Sequence, residues 1–328
     1  MATKKAPASR KKSSTTRKST TKSVKSVKKV NVMPVVAREA STVGMSIKEK
    51  MIALKPGALI AEFIGTFVLA GAVINLATHG FSGLIGIALI LSILVIVLGI
   101  ISGAHLNPAI TIAQYVNRKI DGVKTAFYIV AQVFGALAAM LILSGLFSAN
   151  FDFNREILTA LSQATGISQE EIVDAGGVEV FLEENYQMTV EEAAEQLGIT
   201  EEAPTLIEPV SLNEGKEWVV FFTELIAAIV FGLGVGYAIF AKDKSQITAG
   251  LAVGVGLLAG LVIGGASVIL NPAVGGAIQA FTWVNPFTAG AMTFWWPVFI
   301  YIGATTVGIT AGITAYRFIL KEAFEKKV

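Results

Sequence analysis

The chain has 328 residues, 53% of them hydrophobic and 15% charged, with 32 Gly, no Cys and a mean hydropathy of +0.66. That balance excludes an ordinary soluble domain, and the lack of Cys excludes a disulfide framework, a thiolate zinc site and a cysteine nucleophile. The net charge of +2 conceals a split, because residues 1–55 hold 15 of the 26 Lys and Arg while residues 151–217 hold 16 of the 24 Asp and Glu.

The first segment, residues 1–50, reads as a basic disordered tail. Its first 29 residues contain 11 Lys or Arg and no acid, so they cannot bury enough apolar surface to offset the entropy of ordering. Ahead of a membrane body such an arm is expected near anionic lipid, and no nucleic-acid partner is expected. Apolar runs then fall at about residues 57–77, 84–101, 124–147, 217–240, 247–265 and 293–317, each near the ~20 residues that cross a hydrocarbon core. Two shorter segments, near 103–117 and 267–281, are too short to cross and each carries an Asn-Pro pair. They read as half-helices that stop inside the bilayer, which backbone tolerates only when buried in protein or lining a wet cavity.

Glu62 and Glu224 stand 162 residues apart, and Asn107 and Asn271, each opening an Asn-Pro-Ala tripeptide, stand 164 apart. The two halves therefore repeat in order and nearly in spacing. Each half has three spans, an odd number, so the second is inverted relative to the first. The fold class expected is an all-α membrane protein of six transmembrane helices plus two re-entrant half-helices. Lys and Arg after the second span, between the fourth and fifth and at the C-terminus put both termini in the cytoplasm by the positive-inside rule. The first repeat is placed at 51–148, the second at 217–320 and a cytoplasmic C-terminus at 321–328. Between the repeats lies an acidic extracytoplasmic insert, 149–216, in which Ser168 with Glu171 and Thr189 with Glu192 read as capping boxes opening two short helices, with Gly176-Gly177 and Pro204 as punctuation; a small helical cap over the pore mouth and a solvated flexible loop both stay open.

The run Ser102-Gly103-Ala104-His105-Leu106-Asn107-Pro108-Ala109-Ile110-Thr111 resembles the first signature loop of the aquaporin, or major intrinsic protein, family, and Leu270-Asn271-Pro272-Ala273 resembles the second. The stretches Tyr128 to Ala136 and Tyr301 to Ala304 are similar to the family's third and sixth spans. The resemblance covers about 57–148 and 217–318, and it implies an aquaporin-like channel, usually a homotetramer with one pore per subunit. It implies pore roles for Asn107, Pro108, Ala109, Asn271, Pro272 and Ala273, and loop support by Glu62, His105 and Glu224. Chemistry points the same way: two positive half-helix ends meet at the midplane and oppose cations, while the Asn amides offer N–H donors to a passing oxygen.

The outer constriction departs from the family. Where relatives carry Arg after the second tripeptide, this chain has Val274, and ungapped counting places the other three positions at Ile87, Ala259 and Val268, with Leu257 replacing Ala259 if a two-residue gap is admitted. All are apolar. The expected function is a passive channel in a plasma or cell membrane for water or small uncharged solutes such as glycerol, with lipid as its surroundings. The rival is a membrane scaffold or adhesion protein whose pore is incidental. No enzyme activity, no cofactor and no metal site is expected, since no nucleophile, acid–base pair or ligand cluster stands out.

Overall fold

A computed structural model describes residues 46–77, 79–199, 216–242, 244–265, 268–281, 296 and 299–320. The basic tail through residue 45 and the C-terminal residues 321–328 lie outside the described residues. Helix α1 (Ile47–Ala53) opens on a capping box in which Ser46 and Glu49 exchange hydrogen bonds, and none of its residues is buried. Pro56, whose missing N–H costs nothing at a helix start, then begins α2 (Pro56–Leu76), which a turn joins to α3 (Gly80–Leu98).

The half-helix α4 (Pro108–Val116) follows, then the long α5 (Gly122–Asn150). At 1.5 Å per residue α5 is about 43 Å long, more than the about 30 Å of a hydrocarbon core, and its C-terminal end leads into the insert. After the insert, α10 (Glu217–Phe240) and α11 (Gln246–Gly264) lead to the second half-helix α12 (Pro272–Phe281) and the last span α13 (Phe299–Leu320). Helices α2, α3, α5, α10, α11 and α13 are the six among the described residues that are long and apolar enough to cross a membrane. Both half-helices are about 14–15 Å long, half a crossing.

Without a hydrophobic drive between helices in lipid, close backbone approach must hold the spans together. Gly135 of α5 has no room for a Cβ because the backbone of Phe63 and Phe67 in α2 fills that space. Gly232 of α10 meets Ile309 and Gly312 of α13 in the same way. Outward positions such as Ile60, Phe134, Val219, Val255 and Val307 stay exposed for lipid.

Among its described residues the insert forms four helices, α6 (Phe153–Thr165), α7 (Gln169–Asp174), α8 (Val178–Tyr186) and α9 (Val190–Leu197). Both expected capping boxes form, Ser168 with Glu171 and Thr189 with Glu192. Gly176 and Gly177 take φ of 107° and 93°, a conformation that a Cβ would strain. Two helices were not anticipated: α6, whose start Asp152 caps through Arg155 N, and α8, which opens on Gly177 without a side-chain cap. Ile157, Leu161, Ile172, Phe181 and Leu182 form a core separate from that of the membrane body.

Candidate functional site: a cavity floored by paired asparagines

The two half-helices meet end to end, and their caps are interlocked. Asn107 Oδ1 accepts from Ala109 N at 2.9 Å, capping α4, while Asn107 Nδ2 donates across the repeat to Leu270 O at 2.7 Å. Asn271 repeats the pattern, its Oδ1 accepting from Ala273 N at 3.1 Å and its Nδ2 donating to Leu106 O at 2.9 Å. The helix cap and the bond across the repeat thus use different atoms of one side chain. An amide carries two protons on nitrogen, and the second on each Asn has no acceptor among the described residues.

The two carbonyls that receive these bonds belong to Leu106 and Leu270, whose φ of 51° and 58° lie in the left-handed region disfavoured for any residue with a Cβ. Buried carboxylates hold them there. Glu62 accepts from His105 N at 3.0 Å, Leu106 N at 2.7 Å and Gln132 Nε2 at 2.8 Å. Glu224 accepts from Ile269 N at 3.0 Å, Leu270 N at 2.9 Å and Thr305 Oγ1 at 2.6 Å. Glu62, Glu224, Gln132 and Thr305 are all fully buried. Gln132 on α5 and Thr305 on α13 are therefore equivalent supports in the two halves, each four residues after a buried Tyr, Tyr128 or Tyr301. A π-helical turn over Phe299–Ala304 leads α13 into Thr305.

His105 is 2% exposed and engaged on several sides. Its Nδ1 lies 3.1 Å from Thr111 Oγ1, its ring meets Tyr128 edge-on with centroids 5.2 Å apart, and its Nε2–Cδ2 edge faces Gly103. Tyr128 in turn donates to Ser102 O at 2.8 Å. The roles of Gln132, Thr305, Thr111 and Tyr128 were not anticipated from sequence, although Gln132, Tyr128 and Tyr301 lie in the stretches that carry the family resemblance.

A cavity rises from the Asn pair toward the face from which the insert emerges. Asn107, Asn271 and His105 line its floor, and these are the polar side chains among the described lining residues. Its wall includes Val73, Leu84, Ile87, Leu257, Leu261 and Val268. Of the expected constriction residues, Ile87 and Val268 stand on this wall, and on α11 it is Leu257 that does so. Leu257 and Leu261 share a helix face at i and i+4, which turns Ala259 away, and Ala259 is absent from the lining.

Val274 also lies off the wall. It is 1% exposed and packs with Ala70, Ile74, Ala136 and Met140 of α2 and α5. Ala277 and Ile278, three and four residues on, join the same cluster, so helix periodicity aims this face of α12 at the neighbouring spans. Val274→Arg is therefore expected to bury a guanidinium among aliphatic side chains and to destabilise the protein by several kcal/mol rather than to narrow an opening. Thermal unfolding in detergent checks this: an unchanged midpoint would show that the side chain reaches the cavity or solvent.

The family model described as Major intrinsic protein matches residues 48–316. The chain belongs to the major intrinsic protein family. It is similar to "Glycerol uptake facilitator protein-like 6" of Lactiplantibacillus plantarum, 43% identical over 84 residues, which is 24% of this chain and 39% of that protein. It is similar to human "Aquaporin-10", 29% identical over 283 residues, or 80% of each chain. Among solved structures, the aquaglyceroporin from Plasmodium falciparum matches with a TM-score of 0.53 at 20% identity, covering 82% of this chain and 98% of that one. The chain thus has the aquaporin fold, and as a member of the family it is an integral membrane protein. The aligned stretches span 39%, 32% and 38% of the first three curated relatives.

Proposed function

We propose that the chain is a passive channel for water and small uncharged solutes that excludes ions and protons. The observation that supports this reading is the pair of interlocked asparagines at the cavity floor. Each keeps one N–H for a passing oxygen, and each stands at the positive end of a half-helix, which carries roughly half an elementary charge. A neutral solute exchanges one hydrogen bond for another there, while a cation meets two like-signed dipole ends and loses its hydration. The pore residues on this reading are Asn107, Pro108, Ala109, Asn271, Pro272 and Ala273. Ile87, Leu257 and Val268 form the apolar throat, and Glu62, His105 and Glu224 support the loops.

The same reading takes both termini as cytoplasmic in a plasma or cell membrane, and a homotetramer as the assembly. The apolar outer faces of α2 and α10 are available for lipid or neighbouring subunits. The insert, with 11 acids against Arg155 between residues 152 and 199, would then sit outside, where its field draws cations to the mouth within about 10 Å before salt screens it.

Stopped-flow light scattering on proteoliposomes tests the channel reading. Osmotic shrinkage faster than in protein-free vesicles, with no added proton leak, is the expected result, and shrinkage at the lipid baseline would favour a scaffold whose pore is incidental. Deleting residues 2–30 is expected to leave per-channel permeability unchanged, because the arm has no apolar face to pack against the spans. A fall in flux per molecule of the purified truncation would instead make the arm a gate.

A further inference from the structure

We propose that Arg317, at the end of α13 away from the insert, centres a binding site for the phosphate of an anionic phospholipid. Three elements bring the site together: the last turn of α13, the C-terminal end of half-helix α4 and the link between α10 and α11. Arg317 Nη1 donates to Asn117 O at 3.0 Å and to Asn117 Oδ1 at 3.3 Å, which ties the guanidinium to the carbonyl end of α4, where the helix dipole favours a cation. That tie uses two of the five guanidinium N–H groups, both on Nη1. The Nε–H and both Nη2–H groups have no acceptor among the described residues, and they form a planar fork that fits two oxygens of one phosphate.

Charge gathers around this fork. Lys119 Nζ stands 4.5 Å and Arg317 Cζ 5.4 Å from the centre of the Phe240 ring, which puts the two cations within about 10 Å of each other, inside a Debye length at moderate salt. Lys244 Nζ donates to Ala241 O at 2.7 Å, and burial, then the Lys119 charge, hold its ammonium below the ordinary lysine value. An anion eases like charges drawn together in this way. Residues 114–124, 237–248 and 314–320 carry six Lys or Arg against Asp121 and Asp243. Asp121 Oδ1 accepts from Val123 N and Lys124 N at the start of α5, and Asp243 lies outside the described residues, so these segments stay basic even where Asp243 takes one partner. The flanks select a lipid over a soluble anion. Phe318 and Ile319 beside Arg317, and Tyr115 and Val116 at the end of α4, are half exposed or more, and they offer apolar surface to acyl chains next to the charge.

Thermal unfolding of the full-length protein in detergent, followed by tryptophan fluorescence, tests this with dioleoylphosphatidylglycerol, dioleoylphosphatidylcholine and inorganic phosphate as probes. The anionic lipid should raise the midpoint by about 3 °C or more, because a ligand that binds only the folded state stabilises it; the other two should not. Each rise is taken from the same variant without lipid, and the basic arm is common to all variants, so its attraction for anionic lipid cancels. Arg317→Gln, which loses the fork, and Lys244→Gln, which leaves the Asn117 bonds intact, should each cut the rise by about half or more. Arg317→Lys should not restore it, because an ammonium keeps the charge without the fork. Lys244→Gln carries the test alone where Arg317→Gln does not fold. Equal shifts with both lipids, or a parental rise in the Gln variants that fold, would overturn the site. A full rise in Arg317→Lys would overturn its centring on the fork, and the same rise with inorganic phosphate would overturn the lipid assignment.

Discussion

Replacing Glu62 by Ala should abolish solute flux and lower stability by several kcal/mol. The carboxylate satisfies three buried donors, His105 N, Leu106 N and Gln132 Nε2, and each donor left unpaired in a dry site costs about 1–3 kcal/mol. A second loss follows from the backbone. Ala104 and Leu106 both sit at positive φ, 46° and 51°, and such conformations cost about 1–2 kcal/mol each unless neighbours enforce them. With Glu62 gone, Leu106 N loses its acceptor, so Leu106 O is held less firmly beneath Asn271 and that amide's anchor weakens at the same time. The space behind the loop offers no alternative seat, because Gly65 already admits the Leu106 side chain where a Cβ would collide with it.

Glu62→Gln separates charge from geometry. It keeps one acceptor oxygen but presents an NH2 to donors, so it should fall between the parent and Glu62→Ala in both flux and unfolding midpoint. A folded Glu62→Ala protein with parental permeability would show that the loop is held by other means.

How much of this was legible in the residues depends on whether a function is written in a side chain that repeats. Glu62 and Glu224, Asn107 and Asn271 could be found because they recur at matched intervals, and their partners at the floor follow from the inversion. The capping boxes at Ser168 and Thr189 were readable for a similar reason, since each is a local pattern with a single geometry. Gln132 and Thr305 could not be paired by eye, because the two halves use different residues for one task and α13 reaches it through a π-helical turn. The left-handed leucines left no trace, as nothing in a Leu announces positive φ, and the carbonyls that anchor the asparagines belong to the backbone. The family resemblance implied a place for Val274 at the outer constriction, but a helix turns 100° per residue and that position packs toward α2 and α5. The same geometry puts Leu257, and not Ala259, on the cavity wall, two positions that counting alone left open.

Asn271→Asp should collapse neutral-solute flux by about tenfold or more and admit cations. The substitution changes almost no volume, so its effect is chemical. The capping oxygen survives and can still accept from Ala273 N, which predicts that α12 remains folded. What disappears is the donor: the amide that gives one N–H to Leu106 O at 2.9 Å and keeps one for the cavity becomes an oxygen. That oxygen then faces a carbonyl it cannot bond, and a buried acceptor left without a proton costs enough to slow passage by at least a factor of ten. A negative charge at the floor also offsets the two positive half-helix ends, which removes the barrier that a cation meets.

The reciprocal bonds at 2.7 and 2.9 Å make the two halves nearly equivalent, so Asn107→Asp should behave alike, and the double variant should add little flux loss to either single one because the pair acts as a unit. Stopped-flow permeability together with currents across planar bilayers checks both consequences. Parental solute flux with no ionic current in either variant would mean that the paired amides cap the half-helices and do nothing for the passing solute. Lost flux without current would place the charge barrier elsewhere, in the aliphatic wall that strips a cation of water before it reaches the floor.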